Sequence, residues 1–192
     1  MFKYIVVILL FLGSVSACKQ KKKEPEKNFI SALTILKGQV THVDTSLYPI
    51  VRMEYRDGLL IDSVDMPRES FRAAAKDFLD IPDLSDKNVA SRFKEEKLLD
   101  ETIGMFIITY TPVDPGKEET QKQELLVSPN SSNDNINTIL INRSVSNRDS
   151  SVQKNMLWQM DKYFQVTTIR QLPGQPEITT TVKVTWNEDK YR

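Results

Sequence analysis

The feature that most constrains the fold is a series of short strand-like segments that runs from residue 103 almost to the end of the chain. In the last segment, Ile178, Val182 and Val184 fall in phase with one another and alternate with threonine and lysine. A period of two is typical of a strand with one buried face and one wet face. Because the connections between segments are short, successive strands are expected to pair as an antiparallel meander.

Six strands are predicted in this region, at 103–111, 122–128, 136–145, 152–160, 163–171 and 178–186. The segments between them are rich in Gly, Pro, Asn, Asp and Ser. These residues favour turns, because they tolerate or preset the backbone angles that a turn requires. The shortest connection is the two-residue turn at Asp161 and Lys162.

A hairpin is predicted before this series, from Ile50 to Asp65. The dipeptide Asp57-Gly58 stands at its centre, and it favours a type I′ turn because both central residues of that turn need φ > 0. The first strand alternates apolar and charged side chains, namely Val51, Met53 and Tyr55 against Arg52, Glu54 and Arg56. The charged set is interpreted as the solvated face of the hairpin.

Two helices are predicted to cover the sheet. The stronger one runs from Pro67 to Leu79, with Asp65 as its cap, and the weaker one runs from Phe29 to Val43, with Asn28 as its cap. Each has apolar side chains on one helical stripe: Phe71, Ala74, Ala75, Phe78 and Leu79 in the first, and Phe29, Leu33, Leu36 and Val40 in the second. Residues 85–100 are interpreted as a short helix followed by a strand.

These elements predict a single α+β domain over residues 29–192. An antiparallel β-meander of about six strands, with the N-terminal hairpin added, forms the sheet, and one or two helices cover one of its faces. The chain is 40% hydrophobic and 27% charged, which is the composition of an ordinary globular domain.

The first 18 residues are organised as an export signal. Lys3 is followed by an uncharged apolar run from Tyr4 to Leu12 and then by small residues before Cys18. This order is that of a secretory signal peptide, and the run is too short to span a bilayer. The sequence Val15-Ser16-Ala17-Cys18 resembles the lipobox of bacterial lipoproteins. The resemblance implies that residues 1–17 are removed and that Cys18 carries a thioether-linked diacylglycerol and an acylated amino group.

The cysteine count agrees with this expectation, since Cys18 is the only cysteine in the chain. An unpaired thiol in an exported protein needs an explanation, and lipidation provides one. Two or more acyl chains hold a protein stably on a membrane. Lys19 follows the cysteine, where aspartate would signal retention, so the resemblance implies the outer membrane, on the side that faces the periplasm.

Residues 18–28 are interpreted as the lipidated cysteine and a charged tether. Residues 19–28 contain five lysines and two glutamates, whereas residues 29–192 contain 20 basic and 24 acidic residues. The tether lysines can lie against anionic head groups or can simply be solvated. The mildly acidic body argues against nucleic acid as a partner, because that partner requires a basic surface.

Further segments carry a second resemblance: the sequences at 43–48, 67–72 and 157–162, and the C-terminal Gly-Gln-Pro-Glu and Lys-Val-Thr-Trp-Asn. Through these segments the whole mature chain resembles the small bacterial lipoproteins of unknown function. It implies a location in the bacterial envelope and brings no activity with it.

No motif of catalytic weight is found. The single histidine, His42, and the single cysteine exclude the usual zinc sites, so no metal, cofactor or catalytic residue is expected. His42 is interpreted as a surface residue near a helix end. The acid pairs Glu95-Glu96 and Asp83 with Asp86 lie in charge-rich surface stretches, and residues 130–137 are interpreted as a polar loop, not a calcium site.

Five side chains are candidates for contact with a ligand: Met156, Trp158, Met160, Phe164 and Trp186. They either line an apolar pocket in a curved sheet or form a plain core, and the plain core is favoured.

Three functions remain open at the level of sequence. The first is a non-enzymatic, membrane-anchored envelope lipoprotein with a binding or structural role, whose partners are the membrane, through Cys18, and another envelope protein. The second is a carrier that holds a lipid or a small apolar ligand in a concave sheet. The third is an envelope hydrolase with carboxylates that the sequence does not locate.

Overall fold

A computed structural model describes residues 28–129, 135–146 and 150–187, which form one antiparallel sheet with helices on one of its faces. The nine strands are β1 (Val51–Arg56), β2 (Leu59–Asp65), β3 (Phe93–Asp100), β4 (Met105–Pro112), β5 (Thr120–Ser128), β6 (Asn135–Ser146), β7 (Ser151–Gln159), β8 (Tyr163–Gln171) and β9 (Ile178–Thr185). Their spatial order is β2-β1-β9-β8-β7-β6-β5-β4-β3. The predicted signal peptide, Cys18 and residues 19–27 of the tether lie outside the described residues.

All six strands predicted after residue 103 are present as β4 to β9, and β3 extends the meander to seven strands. The hairpin does not stand apart, because β1 pairs with β9 along its whole length. About 21% of the described chain is helical. The fold is therefore mostly β. The predicted antiparallel sheet with helices is present, but the helical share is smaller than the predicted α+β class implies.

The hairpin turn is confirmed, whereas the predicted orientation of the hairpin is wrong. Asp57 and Gly58 have φ of 49° and 83°, as a type I′ turn requires. In β1, however, Arg52 lies opposite Val184 of β9, which is fully buried beneath the helices. Directly opposite residues in an antiparallel pair project to the same face. The charged side of β1 therefore faces the helices, at the rim of the core, and Arg52 pairs there with Glu54 at 2.6 Å.

The first helix, α1, runs from Ala32 to Thr45. Its cap is Ser31, whose hydroxyl accepts a hydrogen bond from the Thr34 N–H, so the prediction of Asn28 as the cap is wrong. The predicted stripe of four apolar side chains is buried. His42 lies exposed in the last turn, as expected for a residue near a helix end.

The segment predicted as one helix from Pro67 to Leu79 is three short pieces. They are a 3₁₀ turn at Arg68–Ser70, α2 (Phe71–Ala74) and α3 (Lys76–Leu79), separated at Ala75, whose ψ of 3° breaks the helix. Asp65 belongs to β2 and caps none of them. The apolar period predicted the buried face correctly, since Phe71, Ala75 and Phe78 are fully buried, but a period of 3.6 does not report a single altered ψ angle.

Residues 85–100 form the predicted short helix and strand. The helix α4 (Lys87–Ala90) is capped by the Asp86 side chain, and β3 follows. Among the described residues, no helix has both the length and the apolar character that a bilayer-spanning helix needs.

Candidate functional site

The candidate ligand-facing residues lie in the middle of the core. Met156, Trp158, Phe164 and Trp186 are at most 2% exposed, and Met160 is half-buried beside them. The structure therefore gives the plain core that the sequence favoured for the first four.

The helices close over these side chains with two aromatic rings. Phe71 meets Trp186 edge to face, with ring centroids 5.1 Å apart, and Phe78 meets Trp158 in the same way at 5.1 Å. Beneath them, Trp158 and Phe164 stack at 5.0 Å. Edge-to-face and offset-stacked pairs are the favourable arrangements of aromatic rings, so this aromatic cluster holds α2 and α3 on the sheet.

Three polar side chains in this core have no hydrogen-bond partner among the residues that the structure describes. They are the indole Nε1 atoms of Trp158 and Trp186 and both amide atoms of Gln123. Gln123 is fully buried and lies between Tyr110 and Ile141 on neighbouring strands. Each unpaired buried polar group lowers stability by about 1–3 kcal/mol. The sequence contains a signal for Gln123, because it falls in phase with Leu125 and Val127 on the buried face of β5.

Further along β6 and β7 from the aromatic cluster, the same face of the sheet carries charged side chains. Arg143 of β6 and Lys154 of β7 are directly paired. Lys154 donates to the Asp77 carboxylate of α3 at 2.6 Å, and Arg143 donates to Glu119 at 2.7 Å. A cavity of about 240 Å³ lies between α3 and this strand pair, with Val145 among the residues of its wall.

A second cavity of about 680 Å³ lies at the opposite end of the strands, beside α1. Met160, the half-buried member of the candidate set, lines it together with Ile35 and Gln39. Gln39 is already engaged, since its amide exchanges two hydrogen bonds of 3.0 Å with the side chain and backbone of Asp161. Of the predicted polar loop at 130–137, residues 130–134 lie outside the described residues, whereas residues 135–137 belong to β6 and line this cavity.

Tyr110 forms a buried polar contact near the start of α1. Its hydroxyl donates to Glu95 Oε1 at 3.1 Å and accepts from the backbone N–H of Ile30 at 3.1 Å. Burial raises the pKa of Tyr110 to about 12; the Ile30 hydrogen bond opposes this shift and the Glu95 charge adds to it. A neutral phenol held in this way is a structural tie between α1 and the β3–β4 pair.

The sheet separates the first acid pair of the sequence, and both members of the second pair make local structural contacts. Glu95 and Glu96 are consecutive in β3 and project to opposite faces. Asp83 accepts hydrogen bonds from the backbone and hydroxyl of Ser85, while Asp86 caps α4. In the described part of the chain, no group of three or more His, Cys, Asp and Glu side chains could hold a metal ion.

The two edges of the sheet differ in character. All seven residues of β2 are exposed, and four of them carry apolar side chains that are 44–72% exposed: Leu59, Leu60, Ile61 and Val64. The middle of β3 carries four consecutive charged residues from Lys94 to Lys97, with two exposed leucines at its end. Charged residues on an edge discourage further strand pairing, and exposed apolar edges favour it.

No known protein family, curated protein or solved structure matches this chain. Any functional inference therefore depends on the residues of this chain alone.

Proposed function

We propose that this chain is a lipid-anchored, non-enzymatic binding protein of a bacterial envelope, in which the β2 edge docks an extended segment of another envelope protein. Acyl chains on Cys18 hold the protein at the outer membrane, and the tether up to residue 28 carries the folded body in the periplasm. The observation that supports docking is the apolar β2 edge, on which every residue is exposed.

The edge suits an added strand for two reasons. In the described residues β2 pairs only with β1, so the backbone donors and acceptors on its other side are free to bond an incoming strand. Its apolar side chains project to both faces and offer contacts to alternate residues of that strand. Asp62, which lies 3.6 Å from Arg52, adds one charge that disfavours a partner with an acid at the facing position.

The anchor is tested by the mass of the mature N-terminus and by detergent phase partition. We expect a triacylated Cys18 at the N-terminus and partition into the detergent phase. The Cys18→Ser chain is expected as an uncut or soluble precursor. A mature N-terminus without lipid, or the same partition for both chains, would contradict the anchor.

The docking edge is tested by a photo-crosslinking amino acid placed at Leu60 in living cells. We expect a defined adduct that disappears when Ile61→Pro is added, because proline within a strand disfavours strand pairing. The matched control is the same crosslinker at Glu96 of β3, which should give no such adduct. Equal crosslinking at both positions would contradict a specific docking edge.

A further inference from the structure

We propose that the cavity beneath α3 and the aromatic cluster above it form one site for an amphiphile with an anionic head group and a single acyl chain. The head group binds at Arg143 and Lys154, and the chain enters between α2–α3 and the sheet. This site is separate from the β2 edge and does not depend on it.

The mouth of the site has the charge that such a head group needs. Three cations, Lys76, Arg143 and Lys154, line the cavity, against two carboxylates, Asp77 and Asp80. Both sheet cations are only partly exposed, at 17% for the Arg143 side chain and 31% for that of Lys154. An incoming anion competes with Asp77 and Glu119 for these two cations, whose ion pairs already hold them beside the cavity.

From Lys154 towards Trp158 the face of β7 changes from charged to apolar. Along β7 the side chains on this face are, in order, Val152, Lys154, Met156 and Trp158. The cavity of about 240 Å³ is smaller than the usual range for a complete small-molecule site. It therefore accepts the head group and the first methylene groups, and the rest of the chain requires α2 and α3 to move away from the aromatic cluster.

The unpaired polar groups indicate where the ligand adds something that the closed core lacks. Gln123 lies beside Ile141 on β6, two residues before Arg143 on the same face. Gln123 is fully buried and does not line the closed cavity, so its unpaired amide reaches a carbonyl of the ligand only after α2 and α3 have moved. The unpaired N–H groups of Trp158 and Trp186 lower the stability of the closed form, so opening is less unfavourable than for a fully satisfied core.

The segment that covers the aromatic cluster, residues 68–79, consists of short pieces that can move; it is called the cover. The 3₁₀ turn, α2 and α3 are each one turn long and are interrupted at Ala75. Helices of this length have little stability of their own. Their position therefore depends on Phe71, on Phe78, on the Asp77–Lys154 ion pair and, at the start of the segment, on the hydrogen bonds of Arg68 to the end of α1.

The test uses the only two tryptophans of the chain, Trp158 and Trp186, which both lie in the proposed site. The chain is taken as its host processes it, in nanodiscs if it carries lipid and in buffer if it does not. Dibrominated stearate and dibrominated lysophosphatidylglycerol are added as contact quenchers, with dibrominated stearyl alcohol as the uncharged probe. Saturable quenching by stearate alone identifies a carboxylate head group, and quenching by the lysophospholipid alone identifies a phosphate.

The expected pattern ties quenching to the mouth of the site. The double variant Arg143→Gln, Lys154→Gln should bind the anionic probes about tenfold or more weakly than the wild-type chain, as the loss of a charge-assisted hydrogen bond predicts. The alcohol should bind the wild-type chain about as weakly as the anionic probes bind that double variant. Lys122→Gln, on the other face of the sheet and also in an ion pair, should change nothing.

Asp77→Asn removes the carboxylate that pairs with Lys154, so this variant should bind the anionic probes several-fold more tightly. Misfolding cannot produce such a gain in affinity. The proposal is overturned if no brominated probe quenches the wild-type chain. It is also overturned if the anionic probes bind the Arg143/Lys154 double variant as tightly as the wild-type chain.

Discussion

The guanidinium of Arg68 donates a hydrogen bond to the carbonyl oxygen of Val43, at the C-terminal end of α1. It also bonds Ser46 Oγ at 3.0 Å and the carbonyl of Tyr48 at 2.8 Å. The Val43 carbonyl also accepts from the backbone N–H and the hydroxyl of Ser46, so Arg68 adds a charged donor to the cap of α1. The same side chain ties the start of the α2–α3 segment to α1 and to the loop that follows it.

Arg68→Ala should lower the free energy of unfolding by about 2–3 kcal/mol, because hydrogen bonds to a charged donor are lost and carbonyls remain partly buried. Arg68→Lys keeps the charge but lacks the planar fork, so it should restore only part of the loss. Urea unfolding of the three chains measures this. Equal midpoints and slopes would show that the contact contributes nothing.

Phe78→Ala should be among the most destabilising substitutions in the cover. The ring is fully buried between Trp158 and Phe164, and its removal leaves a cavity that costs about 3–5 kcal/mol. Phe78→Leu fills most of that space and should cost clearly less. Thermal unfolding, with tryptophan fluorescence as the probe, distinguishes the two. A loss of the same size in both variants would indicate that the ring itself, and not the volume, matters.

Two glycine substitutions should act in opposite directions. Gly58 has φ of +83°, so Gly58→Ala strains the hairpin turn even though no atom lies within 4 Å of the added Cβ, and a loss of about 1 kcal/mol is expected. Gly38 lies inside α1 with equally open space, and Gly38→Ala should add about 0.5–1 kcal/mol. Chemical denaturation measures both. A stabilising Gly58→Ala would contradict the turn assigned here.

Tyr110 should make stability fall in alkaline solution. Its pKa is raised from 10.0 to about 12, so the folded protein keeps the phenol proton over a pH range in which the unfolded chain loses it. The resulting stabilisation is complete below pH 10 and disappears as pH rises to about 12, by roughly 2–3 kcal/mol.

Tyr110→Phe is the matched control for this alkaline loss, because its lysines titrate as in the wild type. Unfolding free energies measured from pH 8 to 12 should fall less steeply in this variant. Parallel curves for the two chains would exclude Tyr110 as the cause.

Local sequence patterns predicted the strands and the hairpin turn well. An alternation of period two, with turn residues between segments, depends only on residues that are close in sequence. This pattern placed β4 to β9 within a few residues of their positions. The dipeptide Asp57-Gly58 likewise predicted its turn because φ > 0 is a property of the residues themselves. The break at Ala75 has no local signal, since alanine is a good helix former.

The candidate site was predicted in part. The aromatic residues were recognised because tryptophan and methionine in phase on one strand indicate a buried face. Gln123, Arg143 and Lys154 were missed, although all three fall on that phase. The phase places each of these side chains on the buried face, but it does not report which groups lie beside them in space. Their significance comes from residues far away in the chain, such as Asp77, which lies beside Lys154 across 77 positions.

The sequence by itself determined which segments become strands, where the hairpin turns and which side of most strands is apolar, because those properties follow from backbone preferences and side-chain period. Only the tertiary structure decided that β1 pairs with β9. This single pairing placed Arg52 and Glu54 on the helix side and, within the described residues, left β2 at an edge of the sheet. The reason is that the face of a hairpin depends on the strand beside it, and the energy of that long-range pairing is not encoded in the hairpin's own alternation.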